Sequence, residues 1–356
     1  MNERPFLISY PLNDRIQFAS RLSLFLRSGI PILVALSLMR ESANTRSARH
    51  ILATLCESVA SGHSLADSMD RFKKLFGEFA VTIVHVGETS GKLEESLSSI
   101  ASALGKNAAL QRTLLGALIY PAIIIVLTFG IIVFLTVYAF PKIIPLFRGF
   151  GTQLPLSTRI VIAVSDFMSV AWPYLIATIL VTASAYVWGR QKSKFRLITD
   201  KLFLTIPLLG SLIRTYHLSL ASRTLGMLLR SGIGIIPAFE LAAEAAGNCA
   251  YREALHRTRN RILEGGRIEL ALANESACFP SLFVQIVAGG EQTGTLGMSF
   301  VTLGDLYETE LDTKARLLSS LIEPALMILT GVLVGFIALA VISPVYQLTN
   351  GMGSAL

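Results

Sequence analysis

The sequence predicts an all-α membrane protein in which two homologous cytoplasmic helical-bundle domains, a parallel internal repeat, accompany three transmembrane helices. Three observations predict this class: a strongly apolar composition, three long and nearly uncharged stretches, and self-similarity at a constant offset of 203 residues. Mean hydropathy is +0.59, and only 15% of the 356 residues are charged, against about 25% in soluble domains. This composition excludes a disordered chain. It also excludes a fold held together mainly by disulfides, because three cysteines are too few for a chain of this length.

An N-terminal tail over 1–14 and a first cytoplasmic domain over 15–113 open the chain. The tail has neither an apolar core segment nor a small-residue cleavage site, so we expect no signal peptide. Apolar residues of the domain recur at helical spacing, as at Phe18, Leu22 and Phe25, and no alternating pattern bounded by hairpin turns predicts a strand. We expect about five or six short helices, the last of which continues into the membrane.

Two local signals predict helix ends within this domain. Gly29 followed by Pro31 is typical of a helix that stops and another that begins at once. Ser64, with Asp67 three residues later, is typical of an N-cap whose side chain accepts a hydrogen bond from the first helical turn.

Three stretches are long and apolar enough to cross a bilayer as helices, namely 114–140, 160–188 and 317–342. A span needs about 20 mainly apolar residues, and a helix satisfies its backbone polar groups internally, as lipid requires. The first stretch carries no charged residue, the second only Asp166 and the third only Glu323.

The orientation of these spans follows from basic residues, because Lys and Arg collect on the cytoplasmic side. The strongest basic cluster follows the second span, whereas the tail over 343–356 carries no charged side chain. The N-terminus and the second domain, 189–316, are therefore expected in the cytoplasm, with the 141–159 loop and the tail outside. The net charge of +7 then reflects topology and anionic lipid rather than nucleic acid. The cluster consists of Arg190, Lys192, Lys194, Arg196 and Lys201.

The offset of 203 residues relates the two halves of the chain. Residues 26–30 (LRSGI) recur at 229–233 (LRSGI), and 87–93 (GETSGKL) recur at 290–296 (GEQTGTL). Self-similarity at a fixed period indicates duplication of a whole unit. Since the middle span returns the chain to the cytoplasm, the repeat is parallel, unlike the inverted repeats of many transporters.

Polar residues and prolines in the predicted spans are further candidates for a functional or helix-shaping role. An ionisable side chain within a span suggests function by default. Asp166 lies about two turns into its span and is placed near the outer interface. Glu323, whose counterpart is Tyr120, either keeps its carboxylate at the interface or contacts a partner helix. Prolines are expected at the span limits: Pro121 and Pro324 kink or start their spans, and Pro141 and Pro344 end them.

The repeated glycine–glutamate turn resembles a phosphate-binding loop but departs from it twice. Its glycines are one residue too close, and Leu93 replaces the hydroxyl that would hold Mg²⁺. We interpret both copies as helix–helix turns in which one or both glycines adopt positive φ. The glutamates either cap the next helix or offer an acidic contact to a partner. The candidate structural or interaction residues are Gly29, Gly87, Glu88, Gly91, Gly232, Gly290, Glu291 and Gly294.

No pattern of catalytic or metal-ligating residues is evident. The histidines form no H-x-x-x-H or H-E-x-x-H motif, the cysteines form no C-x-x-C pair, and no G-x-S-x-G is present. We therefore expect no enzyme activity, no cofactor and no metal, and reduced thiols. The residues concerned are His50, His63, His85, His217, His256, Cys56, Cys249 and Cys278.

These residues together resemble the type II secretion system F family. Residues 26–36 are similar to the family's L-L-x-x-G-[VI]-x-L-x-x-A-L pattern, although the leucine and alanine spacing differs. Both 87–93 and 290–296 match G-E-x-[ST]-G-x-L, and Tyr120-Pro121 matches the start of the first span. The resemblance covers about residues 15–350, and two copies in register with three spans make it specific.

The resemblance implies a non-enzymatic platform protein in the bacterial inner membrane, serving a type II secretion, type IV pilus or competence-pilus machine. Its partners would be a cytoplasmic hexameric assembly ATPase at the acidic turns and domain surfaces, and pilin or pseudopilin transmembrane helices at the spans. Other inner-membrane assembly proteins, the lipid bilayer and further copies of the chain complete the implied set, without nucleic acid. The ATPase would turn or tilt the cytoplasmic domains and so lift a pilin subunit into the filament.

A transporter or permease subunit with helical cytoplasmic domains is the alternative. That class predicts inverted repeats, broken spans and several polar residues within the membrane, whereas the sequence has a parallel repeat and nearly unbroken apolar stretches.

Overall fold

The computed structural model describes residues 10–134, 138, 156–189, 195, 199–200, 202, 204–206 and 209–353. Helices dominate these residues, and no strand occurs among them, which confirms the all-α prediction. The predicted span end at Pro141 lies outside the described residues.

The first copy of the repeat contains six short helices followed by one long helix, close to the predicted number. These are α1 (Leu12–Arg27), α2 (Ile32–Glu41), α3 (Arg46–Ala60), α4 (Leu65–Asp70), α5 (Lys73–Phe76), α6 (Glu78–Thr89) and α7 (Leu93–Phe134). The helix α8 (Leu156–Gly189) follows and contains Pro173.

The second copy follows the same order. Its helices are α9 (Leu209–Arg230), α10 (Ile235–Ala245), α11 (Cys249–Leu263), α12 (Ile268–Ala273), α13 (Ser281–Thr293) and α14 (Leu296–Gly353). Only α5 lacks a counterpart among the described helices of this copy. The start of α14 is displaced from that of α7 by the predicted offset.

The predicted helix ends in the first copy are confirmed. The helix α1 ends before Gly29, whose φ is 77°, and Pro31 directly precedes α2. The Ser64 hydroxyl accepts a hydrogen bond from the Asp67 backbone N–H at 2.9 Å, as the N-cap pattern predicts.

The two copies bury equivalent apolar positions. Burial of such side chains provides the main favourable term in folding. Within each copy these residues lie on different helices, so that the core holds the short helices together. Equivalent buried pairs are Leu22 and Leu225, Leu52 and Leu255, Phe76 and Phe279, Val84 and Val287, and Ile100 and Leu303.

The chain divides into two compact units. One comprises Met1–Leu114 and Leu197–Thr313, and the other Leu115–Arg196 and Lys314–Leu356. The parts of α7 and α14 from Leu115 and Lys314 onward belong to the second unit, whereas the helical bundles of both repeat copies lie in the first. The sequence predicted these two bundles as separate domains. Within the first unit they are joined by an ion pair between Lys106 Nζ and Asp305 Oδ1 at 3.5 Å.

The long helices extend beyond the prolines that are predicted at the span limits. The helices α7 and α14 begin more than a helical turn before Pro121 and Pro324, and α14 continues past Pro344 to Gly353. These prolines are therefore not helix limits, and their places as kinks, starts or ends of membrane spans stay predictions. A proline removes one backbone hydrogen bond and crowds the preceding turn, but the turns on either side keep their own bonds and the helix continues.

Within the described residues, one segment is long and apolar enough to cross a membrane, Leu93–Ile131, and a shorter apolar segment covers Pro324–Phe336. This finding rests on length and composition alone, so that the three-span arrangement stays a prediction.

Candidate functional site: the repeated glycine–glutamate turns

The turn after α6 is a helix C-cap of the Schellman type. Gly91 adopts a left-handed φ of 70°, which costs glycine little and other residues more. The Lys92 N–H donates to the Gly87 carbonyl at 2.7 Å, and the Gly91 N–H donates to the Glu88 carbonyl at 3.2 Å, as that motif requires. Only the second glycine of the motif therefore needs positive φ.

The second copy has the same turn after α13. Gly294 has a φ of 71°, and the Thr295 N–H donates to the Gly290 carbonyl at 2.8 Å. The shared geometry explains why the position of Lys92 accepts Thr295 in the repeat, because the hydrogen bond that closes the turn is donated by the backbone N–H of this residue.

The first glycine of each motif provides close approach between helices. A Cβ on Gly87 would lie 2.4 Å from Ser96 Oγ, and one on Gly290 would lie 2.3 Å from Ser299 Oγ. Real Cβ atoms do not tolerate such distances, so that these glycines allow α6 to pack on α7, and α13 on α14.

The glutamate of each motif binds the N-terminus of a short helix. The Glu88 carboxylate accepts hydrogen bonds from the backbone N–H groups of Leu65 at 2.6 Å and Ala66 at 2.8 Å. Glu291 repeats this with Ile268 at 2.9 Å and Glu269 at 3.0 Å. A carboxylate at this place satisfies two unpaired N–H donors and complements the helix dipole.

The glutamates cap a helix other than the one that the sequence suggested. Capping the next helix was one of two suggested roles, beside an acidic contact to a partner, but Glu88 reaches α4 and Glu291 reaches α12, each of which precedes its glutamate in the chain. Both carboxylates are half-buried and are engaged within their own copy. The sequence carried no direct signal for this pairing, because the partners are 22 and 23 residues apart.

The membrane candidates are only partly described. Tyr120 lies on α7 with an exposed side chain, and Pro324 is exposed on α14. For Asp166, Glu323, Pro121 and Pro344 the helical backbone is described, and their side chains lie outside the described part of the chain.

A cluster that the sequence analysis missed joins Glu240, Glu244 and His256. Their potential ligand atoms lie within 4.8 Å of one another, with His256 Nδ1 3.7 Å from Glu240 and Nε2 3.8 Å from Glu244. No sequence motif predicted this cluster, because the glutamates lie on α10 and the histidine on α11. The Arg259 guanidinium lies 2.8 Å from the same Glu240 oxygen, so the group forms an ion-pair network whose acidic charge is partly balanced.

Large pKa shifts occur at buried side chains of the second copy. Burial lowers the pKa of His217 to about 4, while the charge of Asp200 opposes this shift. The His217 ring stacks on Tyr251 with centroids 5.1 Å apart, and burial raises the Tyr251 pKa. The three cysteines all lie in the described part of the chain and form no disulfide there. Burial raises the pKa of Cys56, which disfavours its thiolate.

Comparison with known proteins gives matches in both copies. The family model described as type II secretion system (T2SS), protein F, matches residues 18–141 and 221–344, and these segments are related by the offset found in the sequence.

Curated relatives extend the match to nearly the whole chain. The type IV pilus assembly protein PilC of Thermus thermophilus is 32% identical, with 95% of this chain and 83% of the relative covered. TapC, a type IV pilus assembly protein of Aeromonas hydrophila, is 30% identical over 94% of this chain and 81% of its own. The type II secretion system protein F of the same organism is 27% identical, with 93% of this chain and 85% of the relative covered. With two matched domains and relatives of this similarity, the chain belongs to the type II secretion system protein F family.

Proposed function

We propose that this chain is the inner-membrane platform protein of a type IV pilus machine, which couples a cytoplasmic hexameric ATPase to the insertion of pilin subunits into a filament. The observation that carries the proposal is the family match in both copies, together with relatives named for pilus assembly and secretion. The pilus assignment is favoured over secretion because the pilus relatives are 27–32% identical and the secretion relatives 26–27%.

The proposal includes three membrane spans, with the N-terminus in the cytoplasm and the C-terminus outside. Besides the apolar segment of α7, large apolar side chains are exposed along α8 and α14. Such side chains are favourable in lipid and costly in water. They include Val170, Tyr174, Leu180, Val181 and Trp188 on α8, and Met327, Ile328, Val332 and Leu339 on α14.

A mechanical role is supported by the continuity of two helices. The helix α7 begins directly after the first glycine–glutamate turn and continues into its apolar segment, and α14 does the same after the second turn. A continuous helix transmits rotation or tilt along its axis, so that motion imposed by an ATPase on the turns and helical bundles would reach the spans. The role is non-enzymatic.

Deletion of the gene, with imaging of surface pili and assay of secreted proteins, tests the function. We expect loss of pili with unchanged secretion, and recovery when the wild-type chain is expressed in trans. Loss of secretion with pili intact would assign the chain to type II secretion. Normal pili and normal secretion, in a strain without a second copy of the gene, would contradict the platform role.

Direct capture tests the coupling. The full-length chain in detergent should retain the hexameric assembly ATPase of the same organism, whereas an unrelated hexameric ATPase at equal concentration should not bind. Equal retention of both proteins would contradict a specific coupling.

A further inference from the structure

A cavity of about 750 Å³ lies between the two copies of the repeat, within the unit that contains the helical bundles of both. The first copy contributes the turn after α6 and the start of α7, and the second contributes the end of α9 and one residue of α14. The volume is in the range of small-molecule sites. Neither the family assignment nor the coupling role accounts for this cavity.

The lining of the cavity is basic and rich in hydroxyl groups. Four cationic side chains, Lys92, Lys106, Arg223 and Arg230, line it together with six serines, and Glu95 is the one acidic residue among the described residues of the lining. These described lining residues include no aromatic side chain. Guanidinium, ammonium and hydroxyl groups are donors that suit phosphate oxygens.

The four cations differ in how far acidic neighbours compensate them. Lys106 lies 3.5 Å from Asp305, and Lys92 lies 4.0 Å from Glu95. Arg223 is nine-tenths buried and is paired with Glu308 and, at 3.6 Å, with the same Asp305, but its Nε has no hydrogen-bond partner in the described part of the chain. A buried donor left without a partner is costly and calls for a ligand or water.

Arg230 is the cation whose charge is least compensated. No ion pair or side-chain hydrogen bond involves it among the described residues. Its counterpart in the first copy, Arg27, binds Glu94 through Nε at 2.8 Å and a terminal nitrogen at 2.6 Å. Glu94 is replaced by Gly297 in the second copy, where a Cβ would lie 3.1 Å from Arg230 Cγ.

The loss of that acid has two effects. It removes the internal partner of Arg230, and the small glycine lets the arginine stem pack closely on α14. The same sequence LRSGI therefore carries a neutralised arginine in the first copy and an uncompensated one, lining the cavity, in the second.

We propose that this cavity binds the phosphate groups of a small phosphorylated ligand, with Arg230, Lys106, Lys92 and the serine hydroxyls as donors. A concave preformed site favours a small ligand over a peptide, for which broader and flatter surfaces are typical. The absence of aromatic lining residues assigns recognition to the phosphate groups rather than to a stacked base. Because both copies provide donors, the bound ligand would bridge them.

Calorimetric titration of the detergent-solubilised full-length chain with sodium tripolyphosphate tests the proposal. Wild type should bind, and Arg230→Gln should weaken binding at least about tenfold, with Lys106→Gln also weaker. Arg27→Gln is the matched control, since it removes the same charge at the equivalent position outside the cavity, and it should bind as wild type does. Arg230 is exposed, so its replacement leaves the core intact, which far-ultraviolet circular dichroism verifies.

Three outcomes would overturn the proposal. Absence of tripolyphosphate binding by wild type excludes the site. Equal weakening by Arg27→Gln and Arg230→Gln identifies general attraction of an anion to a basic protein. Binding of a poly-glutamate peptide that depends on Arg230, without binding of tripolyphosphate, assigns the cavity to an acidic protein segment instead.

Discussion

At the scale of single residues, Gly87 is required for its lack of a side chain and not for its backbone freedom. We expect Gly87→Ala to lower the free energy of unfolding by about 1–3 kcal/mol, the usual cost of overpacking, because the new methyl overlaps Ser96. Ser96→Gly should recover part of this loss in the double variant. Gly105→Ala is the control, as nothing lies within 4 Å of a Cβ there, and it should be neutral or stabilising. Denaturant unfolding in detergent measures these changes, and a Gly87→Ala chain as stable as wild type would contradict the packing argument.

His217 makes stability depend on pH. Its pKa is about 4 in the folded chain and about 6.5 when unfolded, so the unfolded state takes up a proton first as pH falls. The free energy of unfolding should therefore decrease between pH 6.5 and 4, by roughly 3 kcal/mol at most. His217→Gln should reduce the slope in this window, although lost stacking on Tyr251 lowers stability at neutral pH. Unfolding curves of both chains from pH 7 to 4 check this, and identical slopes would refute it.

At the scale of elements, α4 depends on a cap from a distant residue. Glu88→Gln leaves at most one good acceptor for two N–H donors, so we expect local stability of α4 to fall by about 1–2 kcal/mol. Glu291→Gln should have the same effect on α12, and each variant serves as the control for the other helix. Hydrogen exchange of the Leu65 and Ala66 amides, compared with Ile268 and Glu269, measures this. Faster exchange in both helices of either variant would argue for global destabilisation instead.

The glutamate variants also separate two interpretations that the sequence left open. If the carboxylates act only as caps, the Glu88→Gln chain should retain ATPase binding at temperatures where α4 remains formed. If they also meet the partner, ATPase binding should fall even at temperatures where hydrogen exchange shows that α4 remains formed. The two effects are measured on one sample, so that the cap and the contact are distinguishable.

The long helix α7 allows the mechanical proposal to be tested. Leu115 is exposed, with 58% of its surface accessible, and it is the residue of α7 at which the chain passes from the unit of the helical bundles to the second unit. Leu115→Pro should kink the helix, at a cost of about 3 kcal/mol, and abolish pili while the protein still reaches the membrane. Leu115→Ala, which keeps the helix, should remain piliated. Normal pili in the proline variant, at equal protein level, would contradict the need for a continuous helix.

At the scale of the whole molecule, the sequence predicted what depends on local or periodic signals. Helical spacing gave the all-α class, the constant offset gave the duplication, and Gly29, Pro31 and Ser64 marked helix ends. What failed depended on contacts between distant elements. The helix bound by Glu88 lies 22 and 23 residues away, and the cluster at His256 draws on two helices. The preference of proline for helix ends reflects a local energetic cost to the helix. It does not determine whether a long helix continues, as α14 does beyond Pro344.

The cavity between the copies could not be predicted either, because it also depends on contacts between distant elements. Each of its cations looked like an ordinary surface residue in the sequence, and the replacement of Glu94 by Gly297 gained meaning only from the pairing of Arg27 in the structure. Duplication therefore does more than supply two similar bundles. The arginine that is paired with an acid in the first copy, Arg27, has a counterpart in the second, Arg230, that is unpaired among the described residues and lines the cavity between the two copies.

Membrane orientation is the remaining property of the whole molecule, and it can be measured with single cysteines. In a chain whose native Cys56, Cys249 and Cys278 are replaced by Ala, Glu41→Cys reports on the first bundle and Ser354→Cys on the C-terminal tail. We expect the basic cluster after the second predicted span to lie in the cytoplasm, so a membrane-impermeant maleimide should label Ser354→Cys in intact spheroplasts. Glu41→Cys, exposed on the surface of its bundle, should react only after permeabilisation. Labelling of both sites from outside would require an even number of spans between them, and the three-span arrangement would then be wrong.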